Sequence, residues 1–185
     1  MAMRYITVFI AIFALGALSA GSASAVDFKF STSITTPDIT IGSITASASD
    51  KVKNEDKYWG ERDIETLKKA LIKRVTSQLE KKGLRQENGA RLELELVDLS
   101  SNRPTLFAMS KRIGLDFNSI SLGGAEVKAH LIAADGSDLG TMTYRYYDTQ
   151  LDGFSDGATT WYTARRAFDK FARRLTKEMA ALPAS

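Results

Sequence analysis

Two rhythms divide the chain. Along some stretches apolar residues alternate with polar ones, and along two others they recur every third or fourth residue. The first rhythm predicts half-buried strands and the second amphipathic helices. Val26, Phe28 and Phe30 alternate with Asp27 and Lys29 and predict a strand. A second strand is expected over Asp38–Ala46, where Ile39, Ile41 and Ile44 fall, with Pro37 between the two. Ala90–Leu99 alternates most regularly: Leu92, Leu94 and Leu96 share one face, and Arg91, Glu93 and Glu95 the other. Val97 and Leu99 shift that phase, which marks a bulge or the strand's end. Ala125–Ala133 turns Val127, Ala129 and Leu131 inward and Glu126, Lys128 and His130 outward. Asp135-Gly136 then predicts a hairpin into Leu139–Asp148, whose inward residues are Met142, Tyr144 and Tyr146.

The helical rhythm runs over Glu61–Lys82, where Ile64, Leu67, Leu71, Val75 and Leu79 fall on one face. Acidic Glu61, Asp63 and Glu65 open it and Lys81 and Lys82 close it, in keeping with the helix macrodipole. Gly83 is placed to cap it in the left-handed conformation. A longer helix is expected from Thr160 to Leu182, carrying Trp161, Ala164, Phe168, Phe171, Leu175, Met179 and Leu182. Thr159 or Thr160 is placed as its N-cap, and Pro183 lies beyond its end. Leu106–Arg112 reads as a short helical turn, and Lys51–Gly60 and Gln150–Ala158 as connections. Two amphipathic helices and one-sided strands predict an α+β domain of two layers: a mainly antiparallel sheet with two long helices packed on its leucine face, the other face wet or covered by a partner.

Residues 1–25 follow a different pattern. One charge, Arg4, precedes an apolar run over Tyr5–Leu18, and Ala23 and Ala25 form an A-x-A site. That is the layout of a cleavable secretory signal peptide, with the mature chain expected to start at Val26. The run is shorter than the ~20 apolar residues a bilayer span needs, and no later run reaches that length. Removing 25 of the 185 residues leaves 160, the size of one domain, in which residues 26–60 supply the N-terminal strands and a connection. The expected address is the periplasm, outside the cytoplasm.

Composition removes several chemistries. The chain has no cysteine, so it forms no disulfide, thiolate nucleophile or cysteine-based metal site, and Ser22 stands where a lipoprotein would carry its lipidated cysteine. The mature chain carries 24 basic and 22 acidic residues, too mild an excess to argue for nucleic acid. His130 is the single histidine, at an outward strand position with no nucleophile marked beside it. Glu93 and Glu95 form a carboxylate pair that acid–base chemistry on sugars would suit; alternation alone already places them in an exposed cross-strand charge ladder, which is the preferred reading. Asp148, Asp152 and Asp156 recur in a glycine-bearing loop but lack the alternating ligands and closing glutamate of a calcium-binding loop. Gly123-Gly124 precedes a strand and opens no helix, so it is no phosphate cradle. No G-x-S-x-G, S-x-x-K or H-E-x-x-H occurs. Neither a cofactor nor a metal is expected. The last helix keeps one asymmetry: Arg165, Arg166, Lys170, Arg173, Arg174 and Lys177 are offset only by Asp169 and Glu178, and could meet an acidic protein or anionic lipid.

Short motifs carry one resemblance. They are Asn102-Arg103-Pro104-Thr105, Ser121-Leu122-Gly123-Gly124-Ala125, Ala134-Asp135-Gly136 with Leu139-Gly140, and Trp161 opening a helix with Ala164, Phe168, Phe171 and Ala172. The pattern resembles a group of uncharacterised bacterial envelope proteins, many of them lipoproteins, and is distantly similar to the amino-terminal α/β domain of the periplasmic propeller protein of the Tol system. The resemblance implies a mixed α/β fold and a Gram-negative envelope location, and no catalytic residues. The expected function is a non-enzymatic periplasmic accessory or binding domain. Its binding residues would be Arg165, Arg166, Lys170, Arg173 and Arg174, and its partner an envelope protein or a lipid surface. The alternatives are a cell-wall sugar hydrolase or transferase using Glu93 or Glu95, and an anionic-lipid binder acting through the basic last helix.

Overall fold

The computed structural model describes residues 26–34, 39–55, 58–150 and 159–180. The elements run β1 (Val26–Thr32), β2 (Ile41–Ala48), α1 (Asp50–Lys53), α2 (Glu61–Lys81), β3 (Ala90–Ser100), α3 (Leu106–Lys111), β4 (Gly124–Ile132), β5 (Asp138–Asp148) and α4 (Tyr162–Ala180). The signal-like residues 1–25, most of the loop bearing Asp152 and Asp156, and Leu182 lie outside the described residues.

Five strands form one sheet in the order β1-β5-β4-β3-β2. Three of its four pairings are antiparallel; β2 and β3 run parallel, with Ile44 beside Leu92 and Ala46 beside Leu94. The result is the expected α+β architecture. The parallel pair follows from the connection: α1 and α2 lie between β2 and β3, and only a long crossover can return a chain parallel to itself. α2 packs over β2, α4 over β4 and β5, and the two helices touch along their length. Ile64, Leu67, Leu71, Val75 and Leu79 of α2, with Ala164, Phe168, Phe171, Leu175 and Met179 of α4, meet Leu92, Leu94, Leu96, Val127, Ala129, Leu131 and Met142 in one core. Gly83 closes α2 at φ 69°, and the Leu84 amide folds back onto the Leu79 carbonyl at 2.9 Å.

Two local expectations are corrected. Of the second strand expected over Asp38–Ala46, Asp38 lies outside the described residues, Ile39 and Thr40 precede the strand, and the strand runs from Ile41 to Ala48; the connection expected over Lys51–Gly60 begins inside a helical turn, α1. Ser49 causes both. Its hydroxyl accepts from the Val52 amide at 3.2 Å, capping α1, and donates to the Val97 carbonyl at 2.8 Å. Val97 lies at the register shift between Leu96 and Asp98, the phase break visible in the sequence. The bulge thus frees a carbonyl that anchors the chain where it leaves β2.

Candidate functional site

The open face of the sheet is a charge lattice centred on β5. Arg145 Nε meets Asp27 at 2.9 Å, and its Nη1 meets Glu126 at 3.0 Å and Asp98 at 3.8 Å. Lys51 approaches Asp98 at 2.8 Å, and the guanidinium lies 4.3 Å from the centre of the Tyr147 ring. The hydrogen bond to Asp27 leads in raising the guanidinium's affinity for its proton. Burial, reinforced by Asp98, pushes the Tyr147 phenol far above its ordinary value, so it stays neutral. Glu93 and Glu95 sit in this lattice, as the alternation predicts. Glu93 is opposite His130 and Glu95 opposite Lys128, and Arg91 reaches Glu93 at 3.0 Å. His130 lies 4.0 Å from Glu93 and 3.2 Å from Asp138. Among the described residues no three of His, Cys, Asp and Glu converge as metal ligands.

The basic residues of α4 do not form one site. Arg166, Lys170 and Arg174 line the side toward β1 and β5, each over an aromatic ring: Arg166 over Tyr146 and Tyr162 (5.8 and 5.5 Å), Lys170 over Tyr146 (5.0 Å), Arg174 over Phe30 (4.1 Å). Arg174 also meets Glu178 at 2.8 Å. Arg173 instead lines a cleft of about 550 Å³ with Gln78 of α2, Lys82 just beyond its end, and Lys177. Arg165 is half-buried one turn before Asp169, whose carboxylate meets Arg74 of α2 at 2.9 Å. The expected set therefore splits between an aromatic shelf and a helix–helix cleft.

A third region was read in the sequence only as a short helical turn over Leu106–Arg112 and as two short motifs, with no site expected there; the turn is α3. Between β3 and β4 the chain leaves the sheet for residues 101–123, and among the described residues most of the exposed large apolar side chains belong to that segment. Leu106 is 74 % exposed and Phe117 68 %; Ile113 is fully exposed; Ile120 and Leu122 follow, with Tyr58 beside them. Apolar side chains concentrated on one exposed segment are the pattern of an interaction surface. Tyr58, Pro104, Ala108, Arg112, Leu115 and Ile120 border a small cavity of about 130 Å³ within it.

The segment is held from beneath by residues of the short motifs. Asn102 is fully buried; its amide donates to the Thr160 carbonyl, its carbonyl accepts from Ser121, and its Oδ1 accepts from the Thr163 amide at 2.8 Å. The first turn of α4 thus receives an acceptor from Asn102, a long-range partner where Thr159 or Thr160 was expected to act. Thr163 Oγ1 in turn donates to Asp148. A Cβ at Gly123 would stand 2.3 Å from the Asn102 side chain, and one at Gly124 2.3 Å from the Tyr147 ring, so both glycines are there for close packing. Thr105 caps α3 through the Ala108 amide at 2.9 Å and donates to the Tyr58 carbonyl at 2.5 Å. Trp59 and Trp161 stack edge to face at 5.7 Å, and Trp59 Nε1 donates to the Val52 carbonyl at 2.9 Å. Asn102, Thr105, Gly123 and Trp161 are scattered in sequence and meet at this one end of the sheet.

No family model matches the chain, and no curated protein sequence matches it. Among solved structures it is similar to the PelC dodecamer from Paraburkholderia phytofirmans at 7 % identity and TM-score 0.47, and to a point variant of that protein at 10 % identity and TM-score 0.46. Each likeness covers 84 % of this chain and 98 % of the other. Among the described residues no helix is long and apolar enough to cross a membrane.

Proposed function

We propose that this chain is a non-enzymatic accessory domain of the bacterial envelope that docks onto another envelope component through the Leu106–Leu122 segment. The observation that carries the reading is the concentration of exposed Leu106, Ile113, Phe117, Ile120 and Leu122 on a connection whose base is rigidly braced. A domain gains nothing in stability from apolar side chains left in water, whereas a docking surface gains from each one it covers. The envelope address is supported by the signal-like pattern of residues 1–25 and by the resemblance of the motifs from Asn102 onward to envelope proteins.

A photo-crosslinking residue placed at Phe117 in living cells tests this, with Arg91 on the open sheet face as the control. Adducts are scored by mass spectrometry of the recovered protein, so that lipid, protein and a second copy all register. The expected result is adducts at position 117 well above those at 91. Equal or absent adducts at 117 would remove the docking role.

A further inference from the structure

The geometry points to an anionic lipid surface as the component that the Leu106–Leu122 segment covers, an inference that rests on the docking role above and names its partner. Three observations converge. The first is charge. Residues 101–123 carry Arg103, Lys111 and Arg112 against one acid, Asp116, so the segment itself is net positive, with Lys111 and Arg112 directly before Ile113; on its other side Leu106 and Phe107 share a cleft with Glu61, Arg62 and Asp63 of α2. Lys111 lies over the Phe107 ring at 5.6 Å and Arg112 over Tyr58 at 5.5 Å, each cation beside an apolar body. Apolar groups flanked by cations suit the boundary between acyl chains and anionic headgroups.

The second observation is the backbone. A loop entering a medium poor in water must satisfy its own polar groups. Here Asp116 accepts from the amides of Asn118 and Ser119 at 2.8 and 2.9 Å, which also occupies the segment's one carboxylate. Arg103 donates to the Phe117 carbonyl at 2.7 Å, and Ser110 to the Phe107 carbonyl at 2.7 Å. The Phe117 carbonyl and the two amides that follow it thus have partners within the segment.

The third observation separates lipid from a second copy of the chain. A symmetric self-contact would bring together two copies of a segment that each carry net positive charge, a like-charge arrangement that specific interfaces avoid. A lipid surface rich in phosphodiesters supplies the opposite charge at that depth.

The experiment is flotation of the purified chain, in the form that cells release, with vesicles of phosphatidylcholine alone or with 30 % phosphatidylglycerol. Its N-terminus is read by mass spectrometry and is the same in every variant. The expected result is flotation with the phosphatidylglycerol vesicles, weakened by salt. I113D/F117D should lower partitioning at least tenfold, by losing buried apolar surface. K111Q/R112Q should lower it roughly twenty-five-fold, at about fivefold per cation. R166Q/K170Q, on the aromatic shelf of α4, should leave it unchanged. All these positions are exposed, and unaltered thermal melting confirms that the variants fold.

Lipid docking is overturned by failure of the parent chain to float, by flotation indifferent to the loop variants, or by loss on R166Q/K170Q alone. It is also overturned if I113D/F117D instead converts an oligomer to a monomer in sedimentation, which would make the patch an interface between copies. Strong protein adducts at Phe117 without flotation would preserve the docking role and remove its lipid partner. No adducts there at all would remove both.

Discussion

β4 is joined to an antiparallel neighbour at each end, and the two joints differ sharply. At one end Ala133–Ser137 turns the chain into β5 with five polar or small residues; the Gly136 amide closes on the Ala133 carbonyl at 2.9 Å, and Asp135 accepts from Ser137. At the other end 23 residues separate β3 from β4, although the strands they join are just as close. A hairpin needs two to five residues, and connections beyond about 12–15 residues inside a compact domain usually carry function. The short joint is polar where it is exposed. The long one exposes leucine, isoleucine and phenylalanine over a base that is locked by a buried asparagine and a close-packed glycine. One joint closes the fold, and the other uses the fold as its support.

The largest effect that can break this contrast is on stability. Phe168→Ala in the core should cost about 3–5 kcal/mol, because the ring is fully buried between α4 and the sheet. Phe117→Ala, on the long joint, should change stability by less than about 0.5 kcal/mol, as surface changes do. Urea unfolding of both variants measures the difference. A loss of several kcal/mol at Phe117 would mean that the segment is part of the core and that its exposure carries no function.

The next effect sharpens the contrast at the base of the long joint. Asn102→Ala leaves the buried Thr163 amide without its acceptor and should cost about 1–3 kcal/mol in the same measurement. Gly123→Ala should cost a comparable ~1–3 kcal/mol by overpacking, since its new methyl would stand against the Asn102 side chain. These two changes meet at one contact. Their double variant should therefore cost less than the sum, because removing the Asn102 side chain opens the space that the methyl needs. Additive costs would show that the asparagine and the glycine act separately.

How much of this was legible in the sequence follows from where periodicity speaks. The alternation of Leu92, Leu94 and Leu96 and the three-four spacing of Leu67, Leu71 and Val75 each report a face, and the sheet with its two helices follows from them. Two things carry no period. The parallel partnership of β2 and β3 depends on the path of the crossover, and the isoleucines of β2 suit either direction. The apolar residues from Leu106 to Leu122 match neither rhythm, and that mismatch was the available signal: apolar residues without a period cannot all reach a core. Asn102 was visible as part of a short motif, but only the fold brings it to Gly123 and the first turn of α4. The basic face of α4 shows the opposite failure. Its residues are one stripe in sequence, yet the shelf of Phe30 and Tyr146 and the neighbouring α2 divide them.

The smallest effect concerns the short joint and its acids. Asp135 is held below the ordinary carboxylate value, first by the Ser137 amide and then by its hydroxyl, and Asp138 chiefly by the Gly140 amide. A depressed folded value means that ionisation stabilises the turn. The contribution is complete above the unfolded value near 4 and is lost as pH falls through the folded values. Both side chains are fully exposed, so the effect should remain local and leave global unfolding almost unmoved. Hydrogen-exchange protection of the Ser137 and Gly140 amides should fall between pH 5 and pH 2, while amides of β3 and α4 keep theirs. Asp135→Asn, which keeps an acceptor without the charge, should flatten that fall at Ser137 and leave it at Gly140. Amides held by neutral acceptors around Asn102, those of Asn102, Ser121 and Thr163, should show no matching fall. An acid-induced loss at those amides would mean that both joints of β4 are held by surface charge, whereas a buried amide network at Asn102 predicts that only the short one is.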